Sequence, residues 1–473
     1  MTSPVLSFPM IDLGADTNLF RELVNVWHRR RGRNRTRSIY YDGEAALKDF
    51  GISLPPQMAN VGAALGWPAK GVHAVTDRSR FEGFVDTSWS DDPFDLERVL
   101  WENMFRVELP AAQISSAVHG CSFLTVTAGD TTAGEPEILL MARAADTSAA
   151  IWDRRRRSLA GFLSIVATDT NGELSEFVMY TPETVYTIAR RGYRWQAWGM
   201  PNRLHRVPVA PLVHKFELRR PLGHSRITRA SMYYTDAALR SIVRAEISSE
   251  LYSAPEYWLF GADVAKFVGD DRWSAMMGRI KALDVDFEDE QKPDLHRFTG
   301  ASPQPHTDQL RMWANLFADD QDLEVKFADS TNPSSADAIF AAKETQITTT
   351  RDANALWGHG AVQAAQMAVM LREGLDALPE EMRSLRAQYT DPAIVSPSAR
   401  AAAYQQIASV DPGFAASRVG RQYAGLSLEQ ITQLEAEQRR SRVGTLVDAL
   451  RASASPRIAE GATPEPSSDL PAG

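Results

Sequence analysis

Three stretches carry residue types that could do chemistry. His119, Gly120 and Cys121 place an imidazole beside the chain's single thiol, and such a thiol becomes a nucleophile when the base is itself oriented by an Asn or Asp. The spacing identifies no orienting residue, and a cysteine flanked by strand-forming residues is more often a small core side chain. In DVDFEDE, Asp284, Asp286, Glu288, Asp289 and Glu290 alternate carboxylates in the manner of a calcium loop. A calcium loop also needs a Gly at its sharp turn and a Glu at its twelfth position, and counting from Asp284 finds neither. Arg29, Arg30, Arg31, Arg33, Arg35 and Arg37 put six arginines into nine residues, a density suited to phosphates or to an acidic partner surface. No aromatic stacking platform is interleaved with them, so a solvated arm or an intersubunit salt-bridge patch stands on equal terms. The cluster is read as a contact patch whose partner stays open. There is no G-x-x-x-x-G-K-[ST] loop, no H-E-x-x-H, no paired-cysteine motif and no nucleophile elbow. No catalytic residue, cofactor or metal is expected.

These stretches need elements to hold them, and the longest regular pattern runs from Arg226 to Tyr252. It contains neither Gly nor Pro, and Leu239, Val243, Ile247 and Leu251 fall four apart, which predicts a helix with one apolar packing stripe. Ser225 stands where a cap would, and Pro255 bars continuation. At about 1.5 Å per residue the rod is roughly 40 Å long.

Composition sets the frame. With 473 residues, 44% of them apolar, the chain can bury two or more cores, since domains run about 100 to 200 residues. One cysteine excludes an intramolecular disulfide framework and suits a reducing cytoplasm. No apolar run approaches the roughly 18 residues of a membrane span, and MTSPVLSFPMIDL lacks a signal-peptide layout. A cytosolic or particle-enclosed protein without a membrane partner is expected. The net charge of −9 argues against sequence-independent nucleic-acid binding over the whole surface, leaving local patches open.

In chain order the pattern predicts an α+β protein of several domains. A short helix, Leu19 to Arg31, runs into the arginine cluster. Trp67 to Val126 alternates short strands with a helix from Phe94 to Arg106. Glu137 to Lys215 is β-rich, with runs at Ile138 to Met141, Leu163 to Thr168, Leu174 to Tyr180, Thr184 to Ile188 and Tyr193 to Gln196 suggesting a small meander or barrel. Arg154 to Arg157 read as an exposed turn. A helix from His306 to Phe317 carries Leu310, Trp313, Ala314 and Phe317 on one side, and a polar loop, Val325 to Asn332, follows it and leads to a helix start at Pro333. That Ala-rich helix reaches Arg372, with Gly358 and Gly360 permitting a bend. Pro379 to Ala452 reads as helical, with a capping box at Ser427 to Gln430, and the Pro-, Ser-, Ala- and Gly-rich tail from Ser453 as disordered.

Six blocks in order along the chain resemble the phage portal protein family. Around the long helix these are Pro221, Leu222, Gly223 and Ser225, then Arg244, Ala245 and Glu246, then Ala254, Pro255, Tyr257 and Trp258. Earlier come Tyr40, Tyr41, Gly43 and Glu44; Trp67 and Pro68 with Val75, Asp77, Arg78, Glu82, Gly83 and Phe84; Leu100 and Trp101 with His119, Gly120, Ser122, Phe123 and Val126; and Pro208 to Pro211. Asn332, Pro333, Ser335 and Ala336 follow.

The resemblance implies a wing at 1–220, a first stem helix at 221–253, a clip at 254–305 and a second stem helix at 306–320. A channel loop and long kinked helix at 321–377, a helical crown at 378–452 and a disordered tail at 453–473 complete it. It further implies a homo-oligomeric ring of about twelve subunits at one capsid vertex, passing double-stranded DNA for packaging and ejection. The large terminase subunit, a head-tail adaptor and the major capsid protein are the implied partners, in the virion and, during assembly, the host cytoplasm. Asp284, Asp286, Glu288, Asp289 and Glu290 become candidates for docking at the clip, and Asp329, Ser330 and Thr331 for lining the channel. A nucleotide- or metal-dependent processing enzyme of α+β type is the alternative.

Overall fold

The computed structural model describes residues 6–45, 64–86, 92–252, 256–260, 280–283, 294–298, 304–323, 336–393 and 397–454. The acidic residues Asp284, Asp286, Glu288, Asp289 and Glu290, the loop residues Asp329, Ser330 and Thr331, and the tail from 455 lie outside them. Two compact units result, 1–392 and 393–473.

The first unit begins with α1 (Thr17–Tyr41), α2 (Trp67–Thr76), β1 (Phe81–Val85), α3 (Leu96–Glu102) and α4 (Phe105–His119). Then come β2 (Cys121–Ala128), β3 (Ile138–Ala144), β4 (Ser148–Asp153), β5 (Ser158–Thr168), β6 (Leu174–Tyr180), β7 (Thr184–Arg191), β8 (Arg194–Pro201) and β9 (Val209–Val213). Strands β4 to β8 form an antiparallel meander in sequence order, while β3, β2 and β9 form a second antiparallel sheet.

Alternation along the strands explains why the meander is covered on both faces. Leu163, Phe177, Met179 and Ile188 point to one side and are buried with Phe20, Leu23 and Trp27 of α1. Phe162 and Tyr180, one position away in the period-two pattern, are buried on the other side with Phe123 of β2 and Val209 of β9. Phe123 and Phe162 approach to 4.6 Å between ring centroids, and Phe20 stacks on Phe177 at 5.7 Å. Such aromatic pairs add to the burial energy of their surfaces.

After β9 the chain continues through α5 (Arg229–Tyr252), β10 (Glu256–Phe260), β11 (Ile280–Leu283), β12 (Asp294–Phe298), α6 (Gln304–Asp320), α7 (Ala336–Glu373) and β13 (Arg386–Tyr389). Strand β10 pairs parallel with β11 and antiparallel with β12. Helices α5 and α6 pack antiparallel: Trp313 lies 6.0 and 6.4 Å from the rings of Tyr233 and Tyr234, whereas His306, Thr307 and Leu310 sit beside Ala245 and Ser249. Leu239, Val243 and Ile247 are buried, as their spacing predicts; the side chain of Leu251 lies outside the described residues. The second unit holds α8 (Pro397–Val410), α9 (Pro412–Ala416), α10 (Arg418–Tyr423) and α11 (Leu428–Ala454). Among the described residues no helix is long and apolar enough to cross a membrane.

Several boundaries differ from expectation for identifiable reasons. Helix α1 does not stop at Arg31 but runs to Tyr41, so all six arginines lie on its turns. The helix expected from Phe94 to Arg106 is two helices divided at Asn103, whose amide donates to the carbonyls of Val99 and Ile138 and accepts from Leu140 N–H. Asn103 thereby stitches the break to β3. Ser225 does not cap α5; its hydroxyl donates to the Val118 and Ile227 carbonyls, and Thr228 accepts from the N–H of Ser231 instead. Helix α7 passes through both glycines without interruption. Gly360 marks close approach, since a Cβ there would lie 2.5 Å from the Pro211 carbonyl oxygen. The stretch read as helical from Pro379 instead begins with a short 3₁₀ turn and β13, which pairs antiparallel with β1.

Val243 is fully buried on α5. Val243→Asp should therefore lower the unfolding free energy by about 3 kcal/mol or more, while Glu246→Lys on the exposed side should change it by less than about 0.5 kcal/mol. Denaturant titration of both variants measures the contrast, and equal midpoints would remove the stripe from the core.

Candidate functional site

The continuation of α1 to Tyr41 turns a linear cluster into a surface. Positions four apart lie on one side of a helix, about 6 Å apart along its axis, so Arg29, Arg33 and Arg37 form a row with Arg30 beside it. That row lines one wall of a cleft of 710 Å³. The facing wall is the turn Arg219 to Gly223, and the floor is Ser148, Ala149, Ala150, Ile151 and Trp152 of β4. Arg31 leaves the row and places its guanidinium 5.0 Å from the centre of the Trp27 ring. Arg35 is exposed and outside the cleft.

Six arginines thus line the cleft against one carboxylate, Glu22. No described carboxylate forms an ion pair with Arg30, Arg33, Arg37, Arg219 or Arg220. Arg37 donates to the His119 carbonyl at 2.6 Å. Its pKa is pulled down to about 10, first by burial and then by Arg33. Arg30 is lowered by burial and by Arg33, Arg29 and Arg220. Like charges therefore crowd the cleft, which favours an anionic ligand. Arg219 and Arg220 were not singled out from sequence. The signal was present in two adjacent arginines directly before the Pro221-Leu222-Gly223 block.

Beneath the cleft, the His119-Gly120-Cys121 triplet has a structural role. Gly120 ends α4 with a φ of 107°, and it crosses Gly223, whose φ is 72°. A Cβ on Gly223 would lie 2.3 Å from the His214 carbonyl oxygen and 2.5 Å from that of Gly120. Only glycine allows this crossing. Cys121 starts β2 and is buried, and burial pushes its thiol up to about 12, so it holds no thiolate to attack with at neutral pH. His119 contacts Ser38 and the Ser115 carbonyl, and burial lowers its pKa. Nearby His214 donates a 2.8 Å hydrogen bond from Nδ1 to the His224 carbonyl, so Nδ1 carries the proton; Nε2 is buried without a partner among the described residues. Burial brings its pKa down to about 4.

Two outcomes follow. Cys121 should resist iodoacetamide at pH 8 in the folded protein and react fully in guanidinium chloride; prompt labelling of the folded chain would place the thiol at the surface. His214 takes up a proton more readily in the unfolded chain, so stability should fall as pH drops from about 6.5 towards about 4, by roughly 3 kcal/mol. The variant His214→Asn should flatten that part of the profile in urea titrations at pH 7 and 5, and an unchanged slope would assign the titration elsewhere.

The remaining sequence candidates do not converge on this cleft. Leu239, Val243 and Ile247 belong to the α5 and α6 pair, while the acidic run and the 329–331 loop lie outside the described residues.

Comparison with known proteins supplies the context. The portal protein of Mycobacterium phage D29 is 26% identical over 472 residues, covering 95% of each chain. That of Mycobacterium phage L5 is 25% identical over 437 residues, covering 87% of each. A chain from the neck of a native gene transfer agent particle, computed with C12 symmetry, is 13% identical over 82% of this chain and 98% of its own, with a TM-score of 0.41. Overlap at that score carries no weight for the assignment. The family described as Phage portal protein, SPP1 Gp6-like, matches residues 21–441, and the chain belongs to that family.

Proposed function

We propose that this portal-family chain works as one subunit of a ring of about twelve copies at a single capsid vertex. The ring is a conduit for double-stranded DNA during packaging and ejection, and it docks the large terminase subunit, a head-tail adaptor and the major capsid protein. The observation that carries this reading is the family match over residues 21–441. Residues 1–220 act as the wing and the antiparallel α5 and α6 pair as the stem, supported by the stripe of Leu239, Val243 and Ile247. In the same reading 254–305 is the clip, 321–377 the channel loop and long helix, and 378–452 the crown. Asp284, Asp286, Glu288, Asp289 and Glu290 dock partners, and Asp329, Ser330 and Thr331 line the channel.

Ring formation also fits the surface chemistry. A closed ring joins two different patches of each subunit, and Trp101, Met104 and Val107 are 83%, 67% and 70% exposed near the α3 and α4 junction. Exposed apolar side chains gathered on one corner mark interaction sites. A net charge of −9 suits a conduit that must release its cargo, because phosphate neutralisation at six to ten positions produces tight, salt-sensitive binding. No particular observation favours a processing enzyme. His119 and Cys121 serve the glycine crossing, and no three His, Cys, Asp or Glu side chains gather at a metal-sized site among the described residues.

Light scattering after gel filtration tests the reading. The expected mass is close to twelve times the 52.4 kDa of one chain, with a central hole in negative-stain images. A species that stays at 52.4 kDa across the concentrations found during assembly would overturn the ring.

A further inference from the structure

The arginine-lined cleft has a second property that a charged surface alone does not explain. Strand β4 is the outer strand of the five-stranded sheet and, among the described residues, pairs only with β5. Five consecutive β4 residues, Ser148 to Trp152, line the cleft. Neighbouring residues of a strand point to opposite faces, so an unbroken run of them lines the cleft along the strand's edge. The side chains of Ser148, Ala149 and Ala150 are buried between the two faces, and a strand edge without a ladder partner offers backbone donors and acceptors to an incoming strand.

The dimensions select the occupant. A strand added to β4 would lie about 4.8 Å from it, in the space lined by α1 on one side and by Arg219 to Gly223 on the other. Alternate residues of an extended segment lie about 6.6 Å apart on one face, close to the roughly 6 Å spacing of Arg29, Arg33 and Arg37 along α1. The opposite face of such a segment meets Arg219 and Arg220. Arginine gives both walls planar, bidentate partners for carboxylates.

We propose that this cleft binds an extended acidic segment of another protein chain, which adds as a further strand on the free edge of β4 while its carboxylates meet arginines on both walls. The edge favours peptide over single-stranded DNA, since a phosphodiester backbone can accept from the N–H groups of β4 but has no donor for its carbonyls. The inference stands apart from the conduit and holds for a single subunit as for a ring.

The test is fluorescence anisotropy of the full chain with a labelled peptide of two Glu-Glu-Val-Thr repeats, which sets carboxylates on both faces of a strand and has about the length of a typical strand. Three comparisons accompany it: the same peptide N-methylated at alternate nitrogens, a single-stranded oligothymidylate of matched charge, and the double variant Arg33→Ala, Arg219→Ala. Both substituted side chains are exposed, and circular dichroism checks that the variant folds. Binding of the acidic peptide is expected at 50 mM NaCl. It should weaken at least tenfold on N-methylation and at least tenfold in the double variant, with the oligothymidylate weaker than the peptide. Equal binding of the N-methylated peptide would overturn strand addition. Tighter binding of the oligothymidylate would make the cleft a nucleic-acid site, and absence of peptide binding would end the proposal.

Discussion

Much of the first unit depends on a single buried cation. Arg226 is 3% exposed, and its guanidinium donates to the carbonyls of Gly71 in α2 and Gln321 at the end of α6. Gln321 returns a bond from its side-chain amide to the Arg226 carbonyl at 3.1 Å, and the Arg226 N–H donates to Ala117 in α4. Asp322 stands 3.9 Å from the same guanidinium. Taking an arginine out of water costs several kcal/mol, and the site is tolerable only because acceptors and a countercharge surround the group. Gly71 belongs to the arrangement, since a Cβ there would come within 2.7 Å of the Gln321 side-chain oxygen. The start of α5 and the end of α6 are thereby pinned to one point, which sets the register from which the two helices run antiparallel.

From that point the constraint passes backward along the chain. Residues Gly223 to Arg226 lead into α5, and their path is held by the crossing with Gly120, by Ser225 on the Val118 carbonyl and by His224 N–H on the His214 carbonyl. The turn bearing Arg219 and Arg220 leaves this anchored crossing. The opposite wall is anchored as firmly: Tyr40 donates to the Asp236 carboxylate at 2.8 Å, and Asn34 donates to the Ala145 carbonyl at 2.9 Å. The arginines stand on two anchored backbones, and anchored backbones preserve a cleft that like charges push open.

Where burial follows a regular period, the elements were legible in the sequence. The strand Leu174 to Tyr180 is found at its expected bounds, and Leu239, Val243 and Ile247 are buried as their spacing requires. Local signals failed where tertiary partners overrode them. Gly32 and the dense arginines read as the end of α1, yet Asn34 and Tyr40, polar residues with partners far along the chain, carry the helix onward. Ser225 looked like a cap because nothing local reveals that Val118 would claim its hydroxyl. Strand β4 was missed because its short run, with two alanines and Ile151 as its one β-branched residue, lacks a strand pattern of its own, and it is stabilised by β5 and α1 instead. The cleft was legible on one side only. Six arginines close in sequence were conspicuous, whereas Arg219 and Arg220 join them through the glycine crossing, a contact between residues about a hundred positions apart.

A strongly cationic cleft in an anionic chain poses a physical problem for any protein that must let DNA slide, and the recessed position of the arginines answers it. Long-range attraction of exposed arginines is screened within about 8 Å at physiological ionic strength, so a polyanion is held only where it can make close contact. Arg30, Arg33 and Arg37 of α1 line a recessed cleft of 710 Å³ over the edge of β4, where a single extended chain can meet them from within. Charge that would act as a brake on an open surface is thus confined to a place where shape selects first and electrostatics second. The same confinement explains the choice of arginine. A flexible ammonium would reach out to any passing phosphate, whereas a planar guanidinium gains most from a partner held in fixed geometry, and the edge of β4 supplies a reference line for such a partner.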